Sequence, residues 1–159
     1  MRRIKLIKSR FEELKRQRID WDDKWKTFTQ YLAVFNGVFD DPKDTRNKWR
    51  DIYAKKNING NPQRYFRNLS TCLTATLCPP DSKWFSFRVK NQTNAEQSWL
   101  KACSEAVLER FQGANAAEFF THMFFEAAVF GQGVISLTPS KNKVFDFKAF
   151  TTGSIFYSI

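Results

Sequence analysis

One histidine, His122, stands in this chain of 159 residues, inside the run FFTHMFF. A Ser/His or Cys/His catalytic pair needs a nucleophile and a base held within hydrogen-bond reach, and that run supplies no partner. Cys72, Cys78 and Cys103 are odd in number and lack the paired spacing of a zinc site. They read as reduced, buried thiols beside ordinary core formers. Asp40, Asp41 and Asp44 offer oxygen ligands, but without calcium-loop spacing and among turn residues. Glu105 and Glu109 share a helix face at i and i+4. With no histidine near them, they read as a solvated face rather than an acid/base pair. Gly131-Gln132-Gly133 has the composition of a phosphate cradle, yet it follows a predicted helix and precedes a predicted strand. A cradle needs the reverse order, with helix N-terminal N–H groups facing the phosphate, so these residues read as a helix stop. No catalytic residue, metal ligand or cofactor site is expected, and the chain reads as a rigid building block rather than an enzyme.

The polar residues with the strongest case for function are basic: Arg2, Arg3, Lys5, Lys8, Arg10, Lys15, Arg16 and Arg18. Residues 1–67 hold 18 Lys/Arg against 9 Asp/Glu, and residues 68–159 hold 8 against 7, so the formal net charge of +10 lies almost wholly in the first segment. Such an excess favours an anionic partner, with counterion release if that partner is a nucleic acid. The acids among these residues weaken that signal, and three readings stay open: solvated surface, protein contact and nucleic-acid binding. No stretch reaches the roughly 18–20 apolar residues of a membrane span. The charged start lacks the apolar stretch of a signal peptide, so neither export nor a membrane partner is expected.

These residues need elements to position them. Ile4, Ile7, Phe11, Leu14, Trp21, Trp25, Phe28, Leu32 and Phe35 alternate in steps of 3 and 4, in one phase if Arg18 fills the missing position. The pattern predicts one long helix with a single apolar seam, with Ile19-Asp20 as the place for a kink. Asp20, Asp22 and Asp23 would alternatively cap a second helix, and a two-stranded coiled coil is the weaker reading because two Trp suit an uneven surface better. Residues 36–61 read as a surface loop with a short helix near Trp49–Tyr53.

Asn61-Pro62 predicts a helix start, with Asn as cap. Tyr65, Leu69, Leu73 and Leu77 predict its buried face, and Pro79-Pro80 its end. WFSFRV alternates as a half-buried strand, with Trp84, Ser86 and Arg88 opposite Phe85, Phe87 and Val89. Two further helices are expected to open with capping boxes at Asn94…Gln97 and Asn115…Glu118. The first buries Leu100, Cys103, Val107 and Phe111 and ends at Gln112-Gly113. The second packs Phe119, Phe120, Met123, Phe124, Ala127 and Ala128 and ends at Gly131. Strands follow at Val134–Thr138 and Val144–Phe147, and a third begins at Ser154–Ile159.

Aromatic residues make up 16% of the chain, enough that rings must fill cores or subunit contacts. Trp21, Trp25, Trp84, Phe85, Phe119, Phe120 and Phe124 are the candidates. The Phe119–Phe125 cluster has rings to stack bases, but its helical spacing favours packing. The expected fold is α+β and mainly helical: a long N-terminal helix, then helices packed with short antiparallel strands. Residues 1–60 form a basic helical segment and loop, and residues 61–159 an α+β core.

In this order the elements resemble the head-to-tail connector, or portal, proteins of short-tailed bacteriophages. The likeness rests on RYFRNLSTCLTATLCPP leading into SKWFSFRV, a helix, a Pro and then a Trp before a strand. It continues through LERFQGANAAEFFTHMFFEAAVFGQGVISLTPS and KVFDFKAFTTGSIFYSI, and RFEELKRQRIDWDDKWKTFTQY matches the family's opening Arg- and Trp-bearing helix. It covers most of the chain except roughly residues 36–61.

The resemblance implies one subunit of a twelve-membered ring at a single capsid vertex, built as part of a wing. Double-stranded DNA passes through the ring without sequence specificity. Capsid, scaffold, terminase and tail proteins are the implied partners. Assembly in the host cytoplasm and residence in the virion follow from the same likeness, as does a longer protein of which this is the N-terminal piece. A last strand that reads as cut off agrees with that expectation. On this reading the basic segment faces neighbouring subunits, capsid or scaffold rather than the channel. The alternative from another class is a stand-alone nucleic-acid-binding module using the basic N-terminal helix.

Overall fold

The computed structural model describes residues 2–32, 60–91, 93–140 and 145–156. In chain order they form helices α1 (Arg2–Leu32), α2 (Asn61–Leu77), α3 (Asn94–Gly113) and α4 (Ala116–Phe130), strands β1 (Val134–Pro139) and β2 (Phe145–Phe150), and a 3₁₀ turn at Thr152–Ser154. The fold is α+β and mainly helical. The strands pair antiparallel, Val134 opposite Phe150 and Pro139 opposite Phe145.

Helix α1 runs unbroken through Ile19-Asp20. Its acids cap nothing there: Asp22 pairs with Arg18 at 2.8 Å and Asp23 with Lys26 at 3.0 Å. The inward stripe is Leu14, Arg18, Asp22, Trp25, Thr29 and Leu32, of which Trp25 and Thr29 are buried. Thr29 passes as a core residue because its hydroxyl donates to the Trp25 carbonyl at 2.9 Å. Ile4, Ile7, Phe11, Trp21 and Phe28 stay exposed. Phe35 and the expected short helix near Trp49–Tyr53 lie outside the described residues.

Helix α2 has Gly60 rather than Asn61 at the cap position, with Pro62 in the first turn. Its buried face also differs from the expected one. Tyr65, Leu69 and Leu77 are exposed, and the inward positions are Phe66, Ser70 and Thr74, with Leu73 half-buried. Both sets recur every fourth residue on neighbouring strips of the helix, so spacing alone does not decide which one faces inward. Small hydroxyl residues instead let α2 approach α4 closely. Ser70 donates to the Arg67 carbonyl (2.8 Å), Thr74 to the Ser70 carbonyl (2.9 Å), and the Thr74 and Thr121 hydroxyls meet at 3.0 Å.

The capping box of α3 lies one residue upstream of the expected pair. The Thr93 hydroxyl accepts from the Glu96 N–H, and the Thr93 N–H donates to the Glu96 carboxylate at 2.7 Å. Asn94 is already inside the first turn and cannot serve as cap. Asn115 forms no box either, because its left-handed backbone (φ +54°) leaves its side chain without a cap bond. The stretch Lys83–Val89 joins no sheet among the described residues. It runs along α3, where the Phe87 N–H donates to the buried Ser104 hydroxyl at 3.0 Å. Trp84 and Phe85 are both half-buried, so the period-2 alternation fails. Ser154 and Ile155 likewise form a turn and an unpaired segment rather than a strand, and residues 157–159 are not described. Cys72 is exposed, whereas Cys78 and Cys103 are half-buried free thiols.

Two cores result. Trp25, Val129 and Phe130 gather Leu32, Phe66 and Phe125. Ala114, Ala116 and Phe147 gather Phe111, Phe119, Phe120, Ile135 and Phe145. In the second, Phe147 lies 5.3 Å from Phe111 edge-on and stacks on Phe119 at 5.8 Å.

Gly131 ends α4 with φ +82°, and Gly133 follows where a Cβ would run into the Met123 carbonyl. Gly133→Ala is therefore expected to lower stability by about 1–3 kcal/mol through overpacking. Gly131→Ala should cost about 1 kcal/mol through its backbone alone. Urea midpoints of the two variants check this order. Acidification should loosen the start of α3. The backbone and hydroxyl donors of Thr93 hold the Glu96 carboxyl below the usual carboxylate range. A depressed folded pKa stabilises above the unfolded value, and this is lost as pH falls through the folded one. NMR titration of Glu96 and amide exchange at residues 94–97 should report both.

Candidate interaction surface

A single carboxylate organises how α1 sits on the body. Glu126, on α4, is completely buried. A buried polar group is tolerated only where it finds hydrogen-bond partners, and Glu126 accepts from the Thr152 N–H at 2.9 Å and the Thr152 hydroxyl at 2.8 Å. This pins the 3₁₀ turn after β2 to α4. The turn then carries Ile155 and Phe156 to α1. Arg18 donates from Nη1 to the Ile155 carbonyl at 2.8 Å, and its guanidinium lies 3.6 Å from the Phe156 ring centroid. Phe156 also meets Phe11 edge-on at 4.7 Å. Two turns along, the Trp25 indole N–H donates to the Phe130 carbonyl at 3.2 Å. Helix α1 is thus held at Arg18 and Trp25, against the end of α4 and the segment after β2.

Of two open grooves, one borders this arrangement and the other lies at the opposite end of α4. One, of about 380 Å³, lies between Leu14, Arg18, Trp21 and Trp25 on α1 and Gln132 and Phe156. The other, of about 410 Å³, lies among Cys78, Asp81, Trp84, Phe111 and Phe120. Neither brings an acid and a base into catalytic relation. Burial raises the pKa of the Cys78 thiol, which keeps it protonated. Among the described residues no three His, Cys, Asp or Glu side chains come together to hold a metal, and no helix is long and apolar enough to cross a membrane.

The basic residues separate into two groups. Arg3, Lys5, Lys8, Arg10, Lys15 and Arg16 are exposed, with Arg10 paired to Glu13 at 2.8 Å; the Arg2 side chain is outside the description. Arg18 leaves this face. Its side chain is only 16% exposed and is taken up by Asp22, Ile155 and Phe156. It is an internal anchor, because its place in the 3-and-4 stripe turns it inward.

Among the aromatics, Trp25 is buried, and Trp84, Phe85, Phe119, Phe120 and Phe124 are half-buried. Trp84 packs on Phe85 at 4.8 Å and on Phe120 at 5.7 Å. Trp21 stands out from the surface, with the Lys24 ammonium 4.6 Å from its ring centroid. Glu126 and Thr152 are absent from the sequence-based candidates. The available signal was a lone acid in the apolar run HMFFEAAVF, which had to find donors.

Residues 4–158 match the family described as Bacteriophage head to tail connecting protein. The chain is also 25% identical, over 153 residues, to a protein named as a probable portal protein of Bordetella phage BPP-1. That match covers 94% of this chain and 27% of the relative, so the chain spans about a quarter of the relative's length.

Arg18 and Glu126 do not touch, yet both support the segment from Thr152 to Phe156. Arg18→Lys keeps the charge but loses the planar fork, and should cost about 1–3 kcal/mol. The exposed Arg16→Ala should stay within about 0.5 kcal/mol. Glu126→Ala strands the Thr152 N–H and leaves the Thr152 hydroxyl only the Gln132 carbonyl at 3.4 Å, and should cost about 1–3 kcal/mol. In a double-mutant cycle, Arg18→Ala and Glu126→Ala should couple by about 0.5 kcal/mol or more. Strict additivity in urea denaturation would mean that the turn is not their shared support.

Proposed function

This chain belongs to the bacteriophage head to tail connecting protein family, and from that premise we propose that it builds part of a portal ring. Identical subunits close around a channel at one capsid vertex, twelve of them in the arrangement the family resemblance implies. Double-stranded DNA is packaged and ejected through that channel without sequence-specific contact. The role is architectural rather than catalytic. The complete protein docks terminase during packaging and tail proteins afterwards. It is a component of the virion, assembled in the host cytoplasm with capsid and scaffold.

The observation that carries this reading is the family match along nearly the whole chain. The geometry supports it in two ways. Interlocked rings around Phe147, with bonds tying α1, α4 and the final turn together, make a body that resists repacking under load. Large apolar side chains of α1, α2 and α3, among them Ile7, Tyr65 and Trp99, remain uncovered, as a subunit that buries surface against its neighbours requires. The basic α1 faces a neighbouring subunit, capsid or scaffold on this reading.

Native mass spectrometry of the full-length protein tests the proposal. A closed ring of about twelve subunits that survives moderate salt is the expected outcome. A monomer with steeply salt-dependent DNA affinity would overturn it in favour of a nucleic-acid-binding module built on α1.

A further inference from the structure

Half of the basic residues after position 67 fall within one short stretch. Lys83, Arg88, Lys90 and Lys101 stand among residues 82–101 with a single acid, Glu96, whose carboxylate is taken by the Thr93 N–H and hydroxyl. The near-neutral balance of residues 68–159 conceals this excess, because the acids that offset it are spread over the rest of that sequence. The fold gathers three of these cations into a third, smaller groove of about 210 Å³ between the extended segment 83–89 and α3. Lys83, Ser86, Phe87, Arg88, Gln97 and Lys101 line it, and no carboxylate does.

One buried hydroxyl sets this juxtaposition. Ser104 is completely buried, donates to the Leu100 carbonyl at 2.8 Å and accepts from the Phe87 N–H at 3.0 Å. Gln97, Lys101 and Ser104 share one strip of α3 in its 3.6-residue repeat. Fixing Phe87 at Ser104 therefore brings Ser86 and Arg88 alongside Gln97 and Lys101. The Trp84 and Phe85 rings, both on Phe111, hold the other end of the segment. Both backbone walls of the groove are thus in place without a ligand.

The charges in the groove are not neutralised from within. Glu105 lies one turn after Lys101 but meets Lys83, at 3.7 Å. Among the described residues Arg88 and Lys101 have no carboxylate partner, so two of the three charges stay unmatched. Cations gathered in this way raise the local concentration of anions. The donor set fits a phosphate: a planar Arg fork, ammonium groups, a Ser hydroxyl and a Gln amide are the side-chain groups that contact nucleic-acid phosphates.

We propose that this groove is an oxyanion site for phosphate groups, carried by a nucleic-acid backbone or free in solution. Arg88 and Lys101 supply the charge, Lys83 is shared with Glu105, and Ser86 and Gln97 donate hydrogen bonds. The exposed Phe87 ring, edge-on to Phe85 at 5.8 Å, offers an apolar face for a sugar or base beside the phosphate. The site goes beyond the ring reading and does not depend on it, and it lies on different elements from the basic α1.

The test uses the full-length protein. Anisotropy of a short fluorescent duplex of arbitrary sequence is read across a salt series, and inorganic phosphate is titrated by calorimetry. Arg88→Gln with Lys101→Gln alters exposed residues and should leave the thermal midpoint nearly unchanged. Losing two backbone contacts should reduce the slope of log affinity against log salt by about 1.8. Phosphate affinity should fall by about tenfold or more. The same loss of charge on α1, Lys8→Gln with Lys15→Gln, should leave both readings at wild type. A slope lowered by the groove variant assigns the site to a nucleic-acid backbone. Lost phosphate affinity with an unchanged slope assigns it to free phosphate. Wild-type slope and phosphate affinity in the groove variant overturn the site, as does a wild type that binds neither probe. A slope lowered only by the α1 variant, with phosphate affinity intact in the groove variant, places the nucleic-acid charge on α1 and also overturns it. Native mass spectrometry of the same samples separates the two readings: a wild type without rings sinks the ring proposal and leaves the groove to be judged by its own titrations.

Discussion

A carboxylate buried in an apolar helix dictates much of what surrounds it, because the penalty for leaving such a group without donors exceeds the net worth of most single contacts in a fold. Glu126 is that group here. Satisfying it fixes Thr152 against α4, and the turn at Thr152–Ser154 then determines where Ile155 and Phe156 emerge. The far end of this chain segment is what α1 meets through Arg18. The pose of the longest helix is therefore set by a residue that it does not touch. Trp25 adds a second fixed point at the Phe130 carbonyl, so α1 is constrained at two levels and cannot rotate about either one alone.

The remaining packing divides labour by residue size. Between α2 and α4 the contact is made by hydroxyls, whose hydrogen bonds to their own helix backbones leave little polar surface to desolvate. Around Phe147 it is made by rings in edge-on and stacked contact, which fill irregular space at high density. Close helix approach on one side and bulky filling on the other yield a body with two cores joined through α4, which supplies Phe130 to one and Phe119 and Phe120 to the other.

Element order was legible in the sequence because punctuation was strong. Pro79-Pro80 and Gly131 end helices where their backbone chemistry requires, and α3 runs to the expected Gly113 before Asn115 turns left-handed. Facing was less legible. Apolar residue type pointed to Tyr65, Leu69 and Leu77 as core, whereas the close approach of two helices selected Ser70 and Thr74, and no local pattern announces which partner a helix will have. The caps slipped by one residue because Thr93 and Asn94 are both good caps, and Glu96 decides between them by its reach. The Trp84–Val89 alternation resembled a strand, but a buried Ser104 hydroxyl took the Phe87 N–H and the Trp84 and Phe85 rings both met Phe111. Arg18 illustrates the limit for the candidate surface. Its place in the stripe was visible, yet its inward role required knowing that a turn 137 residues away would present a carbonyl and a ring to it.

Helix α1 is packed along one part of its length and exposed along the other. A helix packed along its whole length would add rigidity but offer nothing beyond the body's edge, while one packed nowhere would pay the full ordering entropy on assembly. In α1 the half from Leu14 onward is already fixed by Arg18 and Trp25, and helix propagation carries that order into the preceding turns at little further cost. Ile4 and Ile7 are consequently presented in a defined direction before any partner arrives. Preorganisation of this kind reduces the entropy lost when a contact forms. Loosening the turn that Glu126 holds would leave the exposed residues at the start of α1 chemically intact but no longer aimed.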